Sequence, residues 1–485
     1  RIKTGAGSDE KFWKYNAKDS IVLMKAFPKM FKELMALGNV EIYRHQTSII
    51  EPLVFMGELG IRVDHEGLKE ASKKTGQDIN ELNIELEMLT EGSITNPNSV
   101  KQVKEYFYEE KKEKPYISRS THNPTVNEDA LKRLSRKGYK EADILLRIRT
   151  LSKLKGTYLD VNLDEDRRLR CAFNPVGTKS GRLSSSKTIF GTGANLQNQP
   201  REMKKYMLAD KHYIIYNVDL GQAENRVVAY ISPEHAMIEA FERGIDIHSQ
   251  TAGLIFRKPI DEVSDEDNSC PIGGGRYSER FWGKKANHGL NYDLGYKSFA
   301  LYYEIPEQES KFIVSAYHTA YPGIRQYYEW IQSKLREDRT LINPFGRKRK
   351  FMGRWGHDLF KEAYSWVPQS TVADKINRDG VLYIYQNQQW FKHVELLNQV
   401  HDSIVFQIPI SAGIDSHAEM LIRIKKSLES PITWRTQTFS IPMDIEMGVD
   451  LKNTYEIDVK KVNSKEEMKN AIESSFMEIS SGTKT

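Results

Sequence analysis

The sequence predicts an α+β fold, because apolar strand patterns alternate with longer helical patterns along its 485 residues. Residues 213–218 (YIIYNV) are typical of a buried strand, and the apolar runs 394–400 and 404–408 around a short polar turn indicate a β-hairpin. Helical patterns occur at residues 65–95, 224–243 and 277–291. At about 150 residues per domain, the length indicates about three domains or one enzyme with several lobes.

The composition excludes several classes of protein. Hydrophobic residues make up 39% of the chain and aromatic residues 10%, which is enough for a packed core and excludes wholesale disorder. Two cysteines, Cys171 and Cys270, exclude a disulfide framework and a cysteine-rich zinc site, and they fit a reducing, cytoplasmic location. No apolar run approaches the ~18 residues that span a membrane, so no membrane partner is expected.

The charge is nearly balanced overall but uneven along the chain. A total of 71 basic and 66 acidic residues gives a net charge of +5, which is too small to establish a nucleic-acid partner. Residues 101–160 hold 15 basic and 9 acidic residues, a local charge of +6. Residues 339–354 hold six basic residues and no acidic one, and their glycines predict a basic loop or hairpin.

Both ends of the chain are predicted to be helical. Residues 1–45 indicate two helical pieces separated at Pro28, and an apolar segment follows at 46–64. Near the other end, Ser464 and Glu467 form a capping box. The apolar stripe that follows consists of Met468, Ile472, Phe476 and Ile479. We therefore expect a short terminal helix that docks on the rest of the chain.

Two aspartates that are far apart in the sequence occupy strand ends. Asp219 follows the strand 213–218, and Asp402 lies with His401 at the apex of the predicted hairpin. Taken singly, each is also an ordinary capping or turn residue. Together they supply the oxygen ligands that two Mg²⁺ ions, about 3.5–4 Å apart, need for phosphoryl transfer.

Four residues at intervals of four favour an anion-binding helix face. Arg280, Lys284, His288 and Tyr292 fall within about 120° of one another on an α-helix. Two cations followed by two rings suit a triphosphate followed by a sugar and a base. Taken alone, the pattern also fits a solvated basic stripe beside packed aromatics. Gly289 costs about 1 kcal/mol relative to Ala inside a helix, which indicates the close approach of another group.

Residues 178–200 form a segment rich in Ser and Gly that carries an arginine and several amides. These are Arg182, Asn195, Gln197 and Asn198. Such side chains suit minor-groove acceptors, whose pattern depends little on base sequence. An ordinary polar loop is the alternative for this segment alone.

With these patterns in this order, residues 10–455 resemble the family A, or polymerase-I-like, DNA polymerases of phages and bacteria. The segments that carry the resemblance are 217–232 (similar to motif A), 280–295 (motif B), 396–409 (motif C), 178–200 (the primer-contacting segment) and 149–158 (the base of the thumb). The resemblance implies a right-hand fold with an antiparallel palm sheet, helical fingers and a thumb.

The resemblance also implies residue roles. Asp219 and Asp402 would bind two Mg²⁺ ions, with Mn²⁺ as an alternative, and the Leu220 carbonyl would join one metal. Arg280 and Lys284 would bind the triphosphate of the incoming dNTP, and Lys284 would donate a proton to pyrophosphate. The other implied dNTP contacts are Gln222, Glu224, His248, His288 and Tyr292. The implied DNA contacts are Arg149, Lys153, Lys155, Arg182, Asn195, Gln197, Asn198, Gln369 and His401.

Several positions depart from the family pattern. His288 stands where the family usually has Phe or Tyr, which predicts altered sensing of the sugar 3′ position. Ser403 replaces the Glu of motif C, and because that acid is auxiliary, we expect activity to survive. Further departures are Leu220–Gly221, Lys361, Ser365 and a longer interval between Arg182 and Asn195.

The resemblance places Glu224 at the steric-gate position, where a side chain fills the space of a ribose 2′-hydroxyl.

The first residues resemble the end of a 3′–5′ exonuclease domain. Tyr15 and Asp19 match its last Tyr-x-x-x-Asp motif, and the chain begins with Arg1. We therefore expect a fragment that lacks most of that domain and does not proofread. The predicted domains are 1–45 (exonuclease remnant), 46–64 (palm entry), 65–160 (thumb), 161–247 (palm), 248–368 (fingers), 369–455 (palm) and 456–485 (tail with a short helix).

The predicted function is DNA-templated addition of deoxynucleoside monophosphates to a primer 3′-OH with release of pyrophosphate. The partners implied are primer-template DNA and dNTPs, with an undefined processivity factor, and the protein is expected to be a monomer. A single-subunit RNA polymerase is one alternative, but Glu224 speaks against it. A catalytically silent DNA-binding paralogue is another, but the presence of Asp219, Asp402, Arg280 and Lys284 speaks against it.

Overall fold

The computed structural model describes residues 9–118 and 121–482 and confirms the α+β class. The helices are α1 (Asp9–Leu37), α2 (Val40–Ser48), α3 (Ile50–Leu59), α4 (His65–Leu89), α5 (Val100–Lys104), α6 (Glu128–Arg136), α7 (Lys140–Lys153), α8 (Ala223–Ile231), α9 (His235–Glu242), α10 (Ile247–Phe256), α11 (Glu279–Leu290), α12 (Tyr296–Tyr303), α13 (Glu307–Ala320), α14 (Pro322–Glu337), α15 (His357–Lys375), α16 (Tyr383–Gln386), α17 (Gln388–Phe391), α18 (Ile414–Leu428) and α19 (Lys465–Gly482). The strands are β1 (Ile61–Val63), β2 (Arg168–Leu169), β3 (Ala172–Asn174), β4 (Ser184–Ser186), β5 (Met207–Leu208), β6 (Tyr213–Leu220), β7 (Thr340–Ile342), β8 (Lys348–Lys350), β9 (Glu395–Val400), β10 (Ser403–Pro409), β11 (Ile432–Trp434), β12 (Gln437–Phe439), β13 (Met443–Gly448) and β14 (Thr454–Ile457).

A five-stranded antiparallel sheet forms the centre of the molecule. Its strand order is β14-β13-β6-β10-β9, so β6 lies in the middle and the predicted hairpin β9–β10 lies at one side. Ile214, Tyr216 and Val218 on one face of β6 and Ile215 on the other are fully buried, which explains why this strand carries apolar residues on both faces. The sheet shares one hydrophobic core with helices that include α8, α11 and α15.

A separate hydrophobic core holds the helices of the basic region. Leu86 of α4, Leu131 of α6 and Leu145 of α7 are buried together with Phe107, apart from the core of the central sheet. A third core lies under the small sheet β2-β1-β5. Residues between Leu82 and Ile148 therefore pack around a core of their own, whereas Leu68 and Leu159 belong to the third core.

Some element boundaries differ from the sequence-based prediction. The predicted separation at Pro28 is wrong, because α1 continues through that residue and ends at Leu37. The chain turns instead at Gly38, whose positive φ of 65° and hydrogen bond to the Met35 carbonyl terminate the helix. The single helix predicted over 224–243 is two helices, α8 and α9, separated around Pro233.

The predictions for the second half of the chain agree better with the structure. The basic hairpin is present as β7 and β8. The capping box is formed, since the Glu467 carboxylate accepts from the Ser464 backbone N–H at 3.0 Å and the Ser464 hydroxyl accepts from the Glu467 backbone N–H at 3.2 Å. The buried stripe docks α19 on α18, with the Phe476 ring 4.9 Å from the His417 ring. Strand β14 was not predicted. Among the described helices, none combines the length and the apolar content needed to cross a membrane.

Candidate active site

The carboxylates of the candidate site meet at one end of the central sheet. Asp219 is paired with Ser403 of β10 on one side and with Asp444 of β13 on the other. Because directly opposite residues of an antiparallel pair point to the same face, all three side chains share one face of the sheet. The Leu220 backbone N–H donates to the Asp402 carbonyl at 3.1 Å, which holds the hairpin apex against the end of β6.

Burial and mutual repulsion disfavour ionisation of these acids. Burial raises the pKa of Asp219, and the negative charges of Asp402 and Asp444 raise it further. Burial also raises the pKa values of the Asp402 and Asp444 carboxyls. Among residues 9–118 and 121–482, no ion pair involves Asp219, Asp402 or Asp444. A cation bound between them would remove the repulsion, so the donor set fits a hard metal ion.

The protein alone does not build a complete metal cage there. The described residues contain no cluster of three or more His, Cys, Asp or Glu side chains arranged to hold an ion. Mg²⁺ is commonly bound by one or two carboxylates together with substrate phosphates and waters, which agrees with two acids at an open site. Ser403 takes part in the turn itself, since its hydroxyl donates to the Val400 carbonyl at 3.1 Å.

Glu224 links the start of α8 to the chain that follows α11. Its carboxylate accepts from the Tyr292 hydroxyl at 2.6 Å and pairs with the Arg182 guanidinium. Tyr292 lies two residues beyond the end of α11, so the prediction that it belongs to the helix itself is wrong. The turn is tight because Leu294 packs back against Gly289, where a Cβ would lie 2.9 Å from Leu294 Cδ2. The close approach predicted at Gly289 is therefore present.

A cavity of about 120 Å³ lies between the sheet end and α11. Its lining combines residues predicted for metal and for nucleotide binding, namely Gln222, Glu224, His288, Tyr292 and Asp402, with Ala223, Asn225 and Asn291. The structure thus brings Asp402 and four of the predicted nucleotide contacts to one space, whereas Arg280, Lys284 and His248 are not part of this lining.

The predicted anion-binding face of α11 holds two different cations. Arg280 is bound by Asp246, with Nε to Oδ2 at 2.9 Å and Nη2 to Oδ1 at 3.3 Å. Lys284, one turn later, is exposed, and no hydrogen bond or ion pair from the described residues holds its ammonium group.

The two histidines near this face differ in burial. His288 is exposed at the cavity, and its ring centroid lies 6.2 Å from that of His248. His248 is buried, its Nδ1 lies 3.1 Å from Asn287 Nδ2, and burial lowers its pKa to about 4. At neutral pH His248 is therefore uncharged, and any contact it makes to a phosphate is a hydrogen bond.

The predicted primer contacts differ in how accessible their side chains are. Arg182, Gln369 and His401 line one cavity of about 420 Å³. Asn195 and Gln197 are engaged inside the protein: Asn195 Oδ1 accepts from the Ser185 hydroxyl at 2.8 Å, and Gln197 Nε2 donates to the Gln399 carbonyl at 3.1 Å. In contrast, Asn198 is exposed.

The three predicted thumb contacts lie at the end of α7 and are not equally available. The Arg149 guanidinium donates to the carbonyls of Val126 (2.7 Å) and Pro97 (3.2 Å), so it ties parts of the thumb lobe together. Lys155 Nζ is held by Asp160 at 2.6 Å and by the Ser72 hydroxyl at 2.9 Å. Lys153 is exposed at the same helix end.

Two acids of the site were missed in the sequence. Asp444 alternates with Met443 and Ile445 in a strand pattern (MDIEMG), so its position on the polar face of a strand was readable. Asp246 precedes His248 by two residues and is the N-cap of α10, a signal that normally indicates only a helix start. Its contact with Arg280 depends on packing between α10 and α11, which no local pattern records.

Comparisons with known proteins identify the family of the chain. The family described as DNA polymerase family A matches residues 65–455, which is most of the chain. The DNA polymerase I of Helicobacter pylori strain J99 is 27% identical over 378 residues, which cover 75% of this chain and 39% of that protein. The thermostable DNA polymerase I of Thermus aquaticus is 26% identical over 418 residues, covering 82% and 46%. The chain thus spans less than half the length of these relatives.

A solved structure supports the fold. The POL domain of Pol1 from M. smegmatis, in complex with DNA primer-template and dNTP, superposes with a TM-score of 0.75 at 23% identity. The match covers 87% of this chain and 72% of that one, so the right-hand fold is confirmed. From the extent of the family match and the fold, the chain belongs to DNA polymerase family A.

Proposed function

We propose that this chain is a DNA-templated DNA polymerase, which transfers deoxynucleoside monophosphates from dNTPs to a primer 3′-OH and releases pyrophosphate. The observation that carries the proposal is the meeting of Asp219 and Asp402 at one sheet end, beside a cavity whose other wall is α11. Two carboxylates that fit a metal ion, near a helix that carries Arg280 and Lys284, suit a reaction between a hydroxyl and a triphosphate.

Two Mg²⁺ ions, with Mn²⁺ as an alternative, are the proposed cofactor. Such ions, when bound, lower the pKa of the attacking hydroxyl and stabilise the charge that develops on the phosphates. Asp219, Asp402 and the carbonyl of Leu220 would hold them. The identity and number of the ions are part of the proposal.

The chain's own residues have separate roles in the proposed reaction. Arg280 orients the triphosphate, and Lys284 donates a proton to the departing pyrophosphate oxygen, since a free ammonium group is a suitable general acid. Glu224, fixed by Arg182 and Tyr292, excludes the 2′-hydroxyl of a ribonucleotide. The rings of Tyr292 and His288 border the space for the sugar and base.

Primer-template DNA is the proposed partner. The related POL domain from M. smegmatis was solved with DNA primer-template and dNTP, and we extend those ligands to this chain. Arg182, Gln369, His401, Asn198 and Lys153 are the predicted contacts whose side chains line a cavity or are exposed. The monomeric state, the processivity factor, the cytoplasmic location and the domain limits given above stay predictions.

The experiment that tests the function is extension of a primed template by single nucleotides. We expect the wild-type chain to add the complementary dNTP and Asp219→Ala to lose activity. Glu456→Gln is the matched control, since it changes an exposed acid of the same sheet on β14. Failure of the wild type to extend with Mg²⁺ would favour a silent DNA-binding paralogue.

Ribonucleotide incorporation distinguishes the proposed DNA polymerase from the second alternative, a single-subunit RNA polymerase. The wild type is expected to discriminate against them, and Glu224→Ala is expected to gain their use. If the wild type prefers ribonucleotides, the chain is an RNA polymerase and the role given to Glu224 is wrong.

The departure at His288 has its own test. A neutral histidine stacks and also donates one hydrogen bond, which phenylalanine lacks. We therefore expect the ratio of dideoxynucleotide to deoxynucleotide incorporation to change in His288→Phe. Equal ratios in the two proteins would remove the idea that this ring senses the sugar 3′ position.

The expectation about proofreading stays a prediction. Tyr15 and Asp19 lie on α1, where both side chains are exposed. Excision of a mismatched 3′ end that survives Asp402→Ala and is lost in Asp19→Ala would contradict it.

A further inference from the structure

Asp246 connects three segments of the candidate nucleotide site. Its carboxylate accepts from Arg280 of α11 through two nitrogens, at 2.9 and 3.3 Å, and from Gln222 Nε2 before α8 at 3.3 Å. It also caps α10, accepting from the backbone N–H and the hydroxyl of Ser249, both at 2.8 Å. His248, another predicted phosphate contact, lies in this capped turn. One acid therefore fixes the relative positions of three predicted phosphate contacts.

The carboxylate is charged throughout the physiological range. Partial burial opposes its ionisation, but the hydrogen bonds from Arg280 and Ser249 outweigh burial and lower the pKa of Asp246 to about 2. The pKa of Arg280 is raised in turn, despite its own desolvation. The pair is thus a permanent ion pair, and both partners are about one-third exposed at the site.

The way in which Asp246 holds the guanidinium leaves part of it available. Asp246 occupies the edge formed by Nε and Nη2, whereas Nη1 faces outward, 3.8 Å from the largely exposed Asp265. A guanidinium has five N–H donors in a fixed plane, so holding one edge sets the direction of the others. An arginine without such an anchor would lose more side-chain entropy on binding a phosphate.

We propose that Asp246 is a positioning residue for the triphosphate, which orients Arg280 before the nucleotide arrives. This inference rests on the proposed function, because it concerns the same nucleotide site. Asp246 itself does not touch the nucleotide; it acts through Arg280 and, more weakly, through Gln222. The expected consequence is a contribution to dNTP binding and little contribution to the chemical step.

Asp246→Asn is the informative substitution. Asparagine is as good an N-cap as aspartate, so the start of α10 is retained while the charge on the Arg280 partner is removed. Glu239→Gln is the matched control, because Glu239 also pairs with an arginine, Arg243 at 3.1 Å, but on the exposed face of α9.

The measurement is single-nucleotide insertion with KM and kcat determined separately. We expect Asp246→Asn to raise the KM for dNTP about tenfold, or about 1.4 kcal/mol, because the charged partner that orients Arg280 is lost. The kcat should stay within about threefold and Glu239→Gln should match the wild type. In an Arg280→Ala background, Asp246→Asn should change KM less than about twofold, because the residue it positions is gone.

An unchanged KM in Asp246→Asn would overturn the inference, as would an equal rise in KM with and without Arg280, which indicates a merely structural effect. Tripolyphosphate gives a second measurement without chemistry. The concentration needed for a given rise in Tm should be about tenfold higher in Asp246→Asn than in the wild type. If the wild type extends no primer but this difference is found, the proposed function fails and the inference stands. If extension is normal and Asp246→Asn behaves as wild type in both assays, the function stands and the inference fails.

Discussion

The acids at the sheet end and the cations on α11 belong to the same candidate site but are held in different ways. Asp219 and Asp444 lie side by side because strand register puts them there, and Asp402 lies at the hairpin apex, whose carbonyl is bonded to the end of β6. No ion pair of the described residues neutralises these acids. On α11, Arg280 has its own counter-ion in Asp246, and Lys284 is left free one turn later. The sheet thus creates a charge excess that protonation or a bound cation relieves, whereas the helix divides its charge between one oriented and one free cation.

Removal of the free cation should have the largest effect. We expect Lys284→Ala to lower kcat about 100-fold or more, since a positioned general acid contributes about 10²–10⁴. Lys284→Arg should restore the KM for dNTP but not kcat, because a guanidinium keeps the charge and does not release its proton. The measurement is single-nucleotide insertion at saturating dNTP.

Lys285→Ala is the control for this change. Its ammonium lies over the Phe281 ring, 4.9 Å from the centroid, so it is adjacent in sequence but engaged elsewhere. An unaltered kcat in Lys284→Ala, or an equal loss in Lys285→Ala, would show that the free cation of α11 is not the proton donor.

The contrast between sheet and helix also explains what the sequence alone could predict. Strand β6, the hairpin β9–β10 and helix α11 were predicted because each has a continuous apolar run or a four-residue interval. Those local patterns also delivered Asp219, Asp402, Arg280 and Lys284. Asp246 was missed because its role depends on the packing of α10 against α11, over 34 positions of chain.

Errors in element boundaries have local physical causes. Pro28 removes one backbone donor, yet the exposed helix α1 continues through it and ends at Leu37. The next residue, Gly38, adopts the left-handed conformation that terminates the helix. Tyr292 was assigned to α11 because its spacing continued the pattern, although the helix ends at Leu290. Tyr292 nevertheless contacts Glu224, because the turn after α11 folds back toward α8.

Relief of the charge excess should be the next largest effect, and it depends on pH. The folded protein raises the pKa of Asp219, mainly through burial and then through Asp402 and Asp444, above its unfolded value of about 4. A carboxyl with a raised pKa stabilises the fold below the unfolded pKa, and that contribution is lost as pH rises through the folded pKa. Without divalent metal, the Tm of the wild type should therefore fall relative to that of Asp219→Asn between pH 5 and pH 9.

Magnesium should reverse this difference. At the higher pH, Mg²⁺ should raise the Tm of the wild type by a few degrees and leave Asp219→Asn nearly unchanged, since about 1 kcal/mol shifts Tm by about 2–4 °C in a chain with domains of this size. Glu456→Gln, on the exposed edge strand β14, should respond to Mg²⁺ as the wild type does. If the Tm of Asp219→Asn changes with pH and with Mg²⁺ as that of the wild type does, the repulsion among these acids is not relieved by a bound cation and the prediction is wrong.

The smallest effect should come from Glu224, the acid of the cavity lining whose partners are on the protein. Glu224 is paired with Arg182 and accepts from the Tyr292 hydroxyl at 2.6 Å, so Tyr292→Phe leaves it one partner instead of two. A lost hydrogen bond of about 0.5–1.5 kcal/mol corresponds to about a 2- to 10-fold decrease in the preference for dNTP over rNTP, measured as the ratio of kcat/KM values. Tyr302→Phe, whose side chain is 75% exposed on α12, should leave the ratio unchanged. A decrease as large as that of Glu224→Ala would mean that Tyr292, and not the ion pair with Arg182, holds Glu224 in place. The Tyr292 hydroxyl would then be the partner that distinguishes Glu224 from the acids that need a metal ion.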